Sequence, residues 1–339
     1  MNILLIQLKR IGDLILTTPA IAALRQEFPE ANLTLVISQE CAELAPAING
    51  VDRILIMSRS VSGLGTFAAI ARKKFDYCID FTRNDRSALL SFLSRAQKRI
   101  VSFRVKMRSA IRARAYNEFV QHRMRDRHTV DYHLALLEPL GISTTSPRIH
   151  LRLPARAREK ADELRKIYKI ANQFIIFHPG SARAEKLWDT QRWADVVNHA
   201  GQNYDLDLVL TGGKSELEQT HLAEIKSKVR RSVTDLSGQT DLLTLAALIG
   251  QARLLITVDS APMHLAAATR TPQVILFGPT NPFHWQPREK TAWILHGASP
   301  SPLSEFSSKQ PRLPMKQIST RAAIDAMDSL LSIPAAQGS

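Results

Sequence analysis

The chain has 339 residues, 45% of them hydrophobic and 22% charged, with a formal net charge of +14 and a pI of about 10.1. Those proportions fit a globular protein too long for one hydrophobic core, and they exclude a disordered or fibrous chain. Two cysteines, Cys41 and Cys78, give neither a disulfide framework nor metal-ligand spacing, and no apolar run approaches the roughly 20 residues that span a bilayer.

The N-terminus places its apolar run, Ile3 to Leu8, ahead of Lys9 and Arg10, the reverse of a secretory signal. It reads as a first β-strand in a cytoplasmic protein. Directly after it comes Lys9-Arg10-Ile11-Gly12-Asp13-Leu14-Ile15-Leu16-Thr17-Thr18-Pro19. Gly12 permits a tight turn, Thr17 or Thr18 can cap the helix predicted from Thr18 to Phe28, and Asp13 at a strand end can take a proton from a substrate hydroxyl. The plainer alternative makes Asp13 a turn residue. The segment is neither Gly-x-Gly-x-x-Gly nor Gly-x-x-x-x-Gly-Lys-Ser/Thr, so the dinucleotide and P-loop fingerprints are missing and a nucleotide-dependent dehydrogenase is disfavoured.

Further strands are predicted at Leu33 to Ile37, Arg53 to Met57, Tyr77 to Phe81 and Arg99 to Phe103, alternating with helical stretches as in parallel βαβ units. Residues 1 to 168 hold 28 Lys/Arg against 16 Asp/Glu, so the first half carries most of the positive field. Its densest part runs from Arg83 to Arg127 and includes Arg104 and Arg108. Such a patch suits an anionic partner: nucleic acid, an acidic membrane surface, or a phosphorylated or carboxylated substrate. A solvated charged face is the simpler reading, and no nucleic-acid recognition motif accompanies the charge.

Leu151 to Asn172 reads as a helical connector, after which the alternation restarts. Strands are predicted at Phe174 to His178, Asp207 to Thr211, Leu254 to Val258, Val274 to Phe277 and Ala292 to Leu295. The first ends in His178-Pro179-Gly180-Ser181, followed by Arg183, Lys186 and Trp188. Gly180 allows close backbone approach, Ser181 offers a hydroxyl, and the two cations complete a diphosphate cradle. His178 reads as a hydrogen-bonded strand-end histidine, and Trp188 and Trp193 as packing residues.

The second strand ends in Thr211-Gly212-Gly213, followed by Glu216, which can accept bonds from ribose hydroxyls or complement a helix dipole. Thr240 and Leu242 lie in a helix-entry loop that can border a base. Asp205-Leu206-Asp207 imitates a metal-binding acid pair but leads into an apolar run, so it reads as a strand entry. The third strand delivers Asp259-Ser260-Ala261-Pro262-Met263-His264 to a helix start, where N–H groups can meet a phosphate or Asp259 or Ser260 can simply cap. Residues between Gly297 and Pro314 are expected to be irregular, a last helix to run from Thr320 to Leu331, and the tail from Pro334 to be loose.

With these segments in order, the chain resembles glycosyltransferase family 9, the ADP-heptose:lipopolysaccharide heptosyltransferases. The match runs through Lys9 to Pro19, His178 to Ser181 with Lys186 and Trp188, Thr211 to Gly213, Asp259 to Ala268, and Phe277 to Pro282. It departs from the family pattern at Ala261, at Asn281, and in the Ser/Pro-rich stretch before Met315. The resemblance implies a GT-B fold: an acceptor-binding Rossmann-like domain (1–165) and a nucleotide-sugar-binding one (170–319) facing a central cleft, with helix 320–332 returning to the first domain. It implies inverting transfer with an ADP-sugar donor and neither metal nor cofactor.

On that reading Asp13 is the base, and Lys186 stabilises the leaving diphosphate with the backbone around Gly180, Ser181, Ser260 and Ala261. Asp259 and His264 organise the loop, Glu216 holds the ribose, and Thr240 and Leu242 border the base. Gly12, Arg104 and Arg108 face an anionic lipopolysaccharide-core acceptor at the cytoplasmic membrane surface, where the enzyme is peripheral; nucleic acid is not an expected partner. The alternatives are a basic nucleic-acid- or membrane-binding module, or a glycosyltransferase using another nucleotide sugar.

Overall fold

The computed structural model describes residues 1–58, 63–143 and 146–333. Its chain forms two units, Met1–Arg152 and Leu153–Ser339. The first contains β1 (Asn2–Gln7), α1 (Ile11–Ile15), α2 (Thr18–Glu27), β2 (Asn32–Ser38), β3 (Arg53–Met57), α3 (Leu64–Arg72), β4 (Tyr77–Asp80), α4 (Asp85–Leu93), β5 (Lys98–Ser102), α5 (Arg104–Arg108), α6 (Ala110–Ala113), β6 (Glu118–Val120) and α7 (Thr129–Ala135). The second contains α8 (Ala155–Ile167), β7 (Phe174–His178), α9 (Thr190–Asn203), β8 (Asp207–Leu210), α10 (Glu216–Lys228), β9 (Thr234–Asp235), α11 (Leu242–Gln251), β10 (Leu254–Val258), α12 (Ala261–Thr269), β11 (Gln273–Phe277), α13 (Pro282–Trp285), β12 (Ala292–His296) and α14 (Thr320–Ser332).

Each unit is built on a six-stranded parallel sheet, ordered β3-β2-β1-β4-β5-β6 in the first and β12-β11-β10-β7-β8-β9 in the second. Counted from its own first strand, each sheet has the doubly wound order 3-2-1-4-5-6 of a Rossmann fold. The inner strands are continuous apolar runs because helices cover both faces: β1, β7, β10 and β11 are buried almost throughout. The order reverses between β1 and β4 and between β7 and β10. Ligands of such sheets bind outside the carboxyl ends of the strands at that reversal.

The expected strands all form, within a residue or two. Two short ones, β6 and β9, are additional. The unit boundary falls at Arg152, ahead of the expected one, because Ala157 and Ala161 of α8 are buried and α8 packs on α11. Within the second unit, α14 buries Ala322, Ala323, Ala326, Met327 and Leu330 in the core that also contains residues of β7, β8, α9, β10 and β11. Trp188 and Trp193 lie in that core with ring centroids 5.5 Å apart, and Trp188 Nε1 donates to the Ile318 carbonyl at 3.1 Å. They are packing residues, as expected. Residues 297–314 carry no helix or strand apart from a bridge at Leu303 to Ile294. The tail from Pro334 lies outside the described residues.

Candidate active site

In the first unit, the residues after β1 are tied to the ends of β4 and β2. The Leu8 amide donates to Thr82 Oγ1 at 2.7 Å, and the Lys9 carbonyl accepts from Ser38 Oγ at 3.0 Å and Cys41 Sγ at 3.3 Å. The chain then enters α1, so Gly12 and Asp13 occupy a short helix rather than a turn. Asp13 is 8% exposed; its Oδ1 receives no hydrogen bond and stands 3.4 Å from Lys9 Nζ. Burial pushes the Lys9 ammonium below the usual lysine range while Asp13 pulls it back. A buried carboxylate whose Oδ1 accepts no hydrogen bond has an oxygen to offer a bound hydroxyl.

Thr17 holds the N-cap position of α2 without capping it. Its hydroxyl instead donates to the Asp13 carbonyl at 2.7 Å and accepts from Gln7 Nε2 at 2.8 Å; Thr18 Oγ1 turns back to the Ile15 carbonyl. These bonds fix the backbone that carries Asp13. His133, whose Nδ1 lies 3.2 Å from Thr17 Oγ1, is pushed down to about 3 by burial and stays neutral.

The neighbouring strand β4 ends in Asp80, which the sequence reading passed over. It is fully buried, with Oδ1 accepting the Thr82 and Arg83 amides at 2.7 and 3.1 Å and Oδ2 accepting the Tyr116 hydroxyl at 2.5 Å. Burial pushes its carboxyl above the usual range, against these donors. The clamp holds Arg83 at φ 71°, and the guanidinium lies 5.1 Å from the Tyr132 ring. The signal in the sequence was an apolar run ending in a lone acid. At the same sheet edge a cavity of about 740 Å³ is lined by Leu8, Ser38, Glu40, Met57, Asn84 and Asp85 among others. Arg104 and Arg108, at the two ends of α5, are exposed.

In the second unit, the loop after β7 is stitched to the ends of β8 and β10. His178 Nδ1 lies 2.9 Å from Thr211 Oγ1, and Thr257 Oγ1 donates to the His178 carbonyl at 3.0 Å. Burial pushes His178 down to about 4, so it is the neutral strand-end histidine that was expected. Lys186 reaches across to β10: its Nζ donates to Asp259 Oδ2 at 2.6 Å and to the Asp259 carbonyl at 2.9 Å. Both partners are largely buried, Lys186 with 13% and Asp259 with 8% of its side chain exposed. An ammonium has three donors, so one remains for an anion.

Asp259 therefore does not cap α12. Ser260 holds the N-cap position, yet its hydroxyl makes no capping bond and is buried without a partner; His264 Nδ1 is likewise buried and unpartnered. Burial pushes His264 down to about 4 despite Asp259 nearby. A helix start with an uncapped hydroxyl and a buried cation beside it is suited to an anion. Ser181 is buried next to Gly180 on this edge. Arg183, by contrast, is bonded to the Glu185 carboxylate, so the second cation of the expected cradle is already engaged.

The acid in this edge is Glu218 rather than Glu216. Glu216 is exposed in the first turn of α10. Glu218 folds back over the loops: a Cβ on Gly180 would lie 2.3 Å from its Oε1, and one on Gly213 would lie 2.3 Å from its Oε2. Ser215 caps the helix by accepting the Glu218 amide at 3.3 Å, and donates to Glu218 Oε2 at 2.9 Å. Ser215-Glu216-Leu217-Glu218 is an S-x-x-E capping sequence, which was the available signal. Gly238, at φ 72°, donates to the Gly212 carbonyl at 2.9 Å and brings the loop of half-buried Thr240 and Leu242 beside this edge. Asp207 Oδ2 accepts the Ala171 amide at 2.5 Å and Asp205 is exposed, consistent with a strand entry.

Two doubly wound Rossmann-like units, each gathering charged and hydroxyl side chains outside the strands at its switch point, define a GT-B protein. Residues 66–315 match the family model for glycosyltransferase family 9 (heptosyltransferase), and the chain belongs to that family. It is thus a glycosyltransferase. The chain is 29% identical over 290 residues to lipopolysaccharide heptosyltransferase 3 of Escherichia coli K12, covering 81% of this chain and 82% of that protein. Among solved structures, a family 9 glycosyltransferase from Veillonella parvula superposes with TM-score 0.83 at 26% identity over 97% of each chain. The E. coli ADP-heptose lps heptosyltransferase II has the same fold, with TM-score 0.77 at 19% identity over 98% of each.

Proposed function

We propose that the chain transfers a heptose from ADP-heptose to the lipopolysaccharide inner core, with inversion at the anomeric carbon and without a metal ion. The observation that carries this reading is the Lys186–Asp259 clamp beside the uncapped, buried Ser260 hydroxyl at the start of α12. It offers a cation, a helix N-terminus and an unused hydroxyl to a diphosphate, and so supplies the positive charge that a divalent ion supplies in metal-dependent transferases. The names of the family and of the E. coli relative support heptose and lipopolysaccharide as donor sugar and acceptor.

In this mechanism Asp13 takes the proton of the acceptor hydroxyl. The oxygen forms its bond to the anomeric carbon as the bond to the β-phosphate oxygen breaks, and the electron pair leaves with ADP. Lys186, with the backbone of Gly180, Ser181, Ser260 and Ala261, stabilises the charge that develops on the diphosphate. Asp259 and His264 position that loop. Glu218, in place of Glu216, accepts the ribose hydroxyls, and Thr240 and Leu242 border the base. Gly12, Arg104 and Arg108 serve the anionic acceptor, which is lipid-linked and places the enzyme at a cytoplasmic membrane surface.

The test is turnover of ADP-heptose with heptose-deficient lipopolysaccharide in EDTA, with the product linkage read by NMR. Inverted product, unaffected by chelation, is expected. Absence of transfer, retention, loss of activity in EDTA, or preference for a UDP- or GDP-sugar would each overturn the corresponding part of the reading.

A further inference from the structure

We infer that α4, α5 and α6 of the first unit form a docking surface for an anionic lipid bilayer, with Met107, Ile111, Phe92 and Leu89 entering the headgroup region. Ile111 is 81% exposed, Met107 67%, Phe92 59% and Leu89 47%. Single exposed apolar residues are ordinary, but four on adjoining short helices are not scattered. The helices are held together from beneath: Ala88 of α4 shares a buried cluster with Val101, Val105, Ala115 and Tyr116. Arg112 of α6 grips Asp85 at the start of α4 with bonds of 2.5 and 3.1 Å, and Ser91 of α4 donates to the Ala115 carbonyl at 3.3 Å. Asp85, Leu89 and Phe92 are spaced four and three residues apart, which places them on one face of α4, the face that Arg112 meets.

The charge on this surface selects the occupant. Arg104, Lys106, Arg108, Arg112 and Arg114 fall within eleven residues, and the sequence from 104 to 117 contains no carboxylate. Arg104, Lys106, Arg108 and Arg114 are exposed, and Lys106 lies over the Phe119 ring at 5.4 Å. Apolar tips surrounded by long cations match a surface whose headgroups are anionic and whose interior is hydrocarbon. The cation stems can lie along the apolar layer while their heads reach phosphates. Nucleic acid would use the cations and leave Ile111 and Met107 unburied. A second copy would bring two like-charged faces together.

This deepens the lipid-linked acceptor reading, but it stands on the surface of the first unit alone. The experiment is flotation of the full chain with vesicles of phosphatidylethanolamine and phosphatidylglycerol, against vesicles of phosphatidylcholine. The wild type should favour the anionic vesicles by about tenfold. Met107→Ser with Ile111→Ser should lose most of that partition, as should Phe92→Ser alone, while melting temperature and turnover of a water-soluble acceptor fragment stay at the wild-type level. Equal flotation with both vesicle types, undiminished flotation of the variants, or a dimer in solution that the variants dissociate would overturn the inference. So would tight DNA binding abolished by the same substitutions. Failure of sugar transfer with intact vesicle binding would instead count against the proposed reaction.

Discussion

Lys186 Nζ donates to both the side chain and the backbone carbonyl of Asp259, at 2.6 and 2.9 Å, joining the loop after β7 to the end of β10. Removing one member of so buried a pair leaves the other charge without compensation. Lys186→Met should therefore destabilise the protein by about 3 kcal/mol. Adding Asp259→Asn should recover much of that loss without restoring ADP affinity. Chemical denaturation and calorimetric titration of the single and double variants check both halves; a double variant no more stable than the single would refute the pairing energy.

Asp13→Asn keeps the side chain's shape and removes the base. Turnover should fall about a thousandfold, in the range of general-base contributions, with ADP affinity unchanged. A variant that turns over at the parental rate would remove Asp13 from the reaction.

Glu218→Gln should weaken ADP binding by about tenfold, the scale of one charge-assisted hydrogen bond, whereas Glu216→Gln should leave it unaltered. Gly213→Ala should act in the same direction as Glu218→Gln, because the new methyl would meet the Glu218 carboxylate at 2.3 Å. If the two glutamates exchanged these phenotypes, the assignment of Glu218 from its position over Gly180 and Gly213 would be wrong.

His133, His178 and His264 are pushed down to about 3, 4 and 4 by burial. Below pH about 6.5 the unfolded chain binds protons that the folded chain refuses, so stability falls as the pH drops toward 4. Each histidine contributes up to about 1.4 kcal/mol per pH unit in that window. Melting temperature measured from pH 7 to pH 5 should decline less steeply in His133→Gln than in the wild type, even though the variant starts lower. Parallel curves would contradict the assignment.

Tyr116→Phe removes the hydroxyl that meets buried Asp80 at 2.5 Å. The expected cost is about 2 kcal/mol, that of an unsatisfied buried acceptor, with Asp80 moved further upward. Urea denaturation of the variant measures it; an unchanged midpoint would show that the bond contributes nothing.

The alternation of apolar runs with amphipathic stretches was enough to place ten strands, because buried parallel strands are written as continuous Val, Ile and Leu. β6 and β9, with three and two residues, are edge strands too short to leave a pattern. The strand ends were also legible before Gly180 and Asp259, whereas Asp13 lies in α1, beyond the end of β1. Which side chains meet there was not. Lys186 pairs with a residue 73 positions away, and Asp80 is clamped by Tyr116 from 36 positions away. The apolar face of α14, ending in Met327 and Leu330, does not by itself say which strands it covers; it packs in the core of the second unit.

α12 begins with a serine whose hydroxyl is withheld from its own helix, and with Pro262 taking one amide out of the first turn. Such a helix starts weakly, since a missing cap forfeits about 1 kcal/mol. An anion settling against Ser260 and Ala261 would finish the turn that the sequence leaves open. Ligand binding would then also be the last step of local folding, visible as slowed amide hydrogen exchange along residues 261–265.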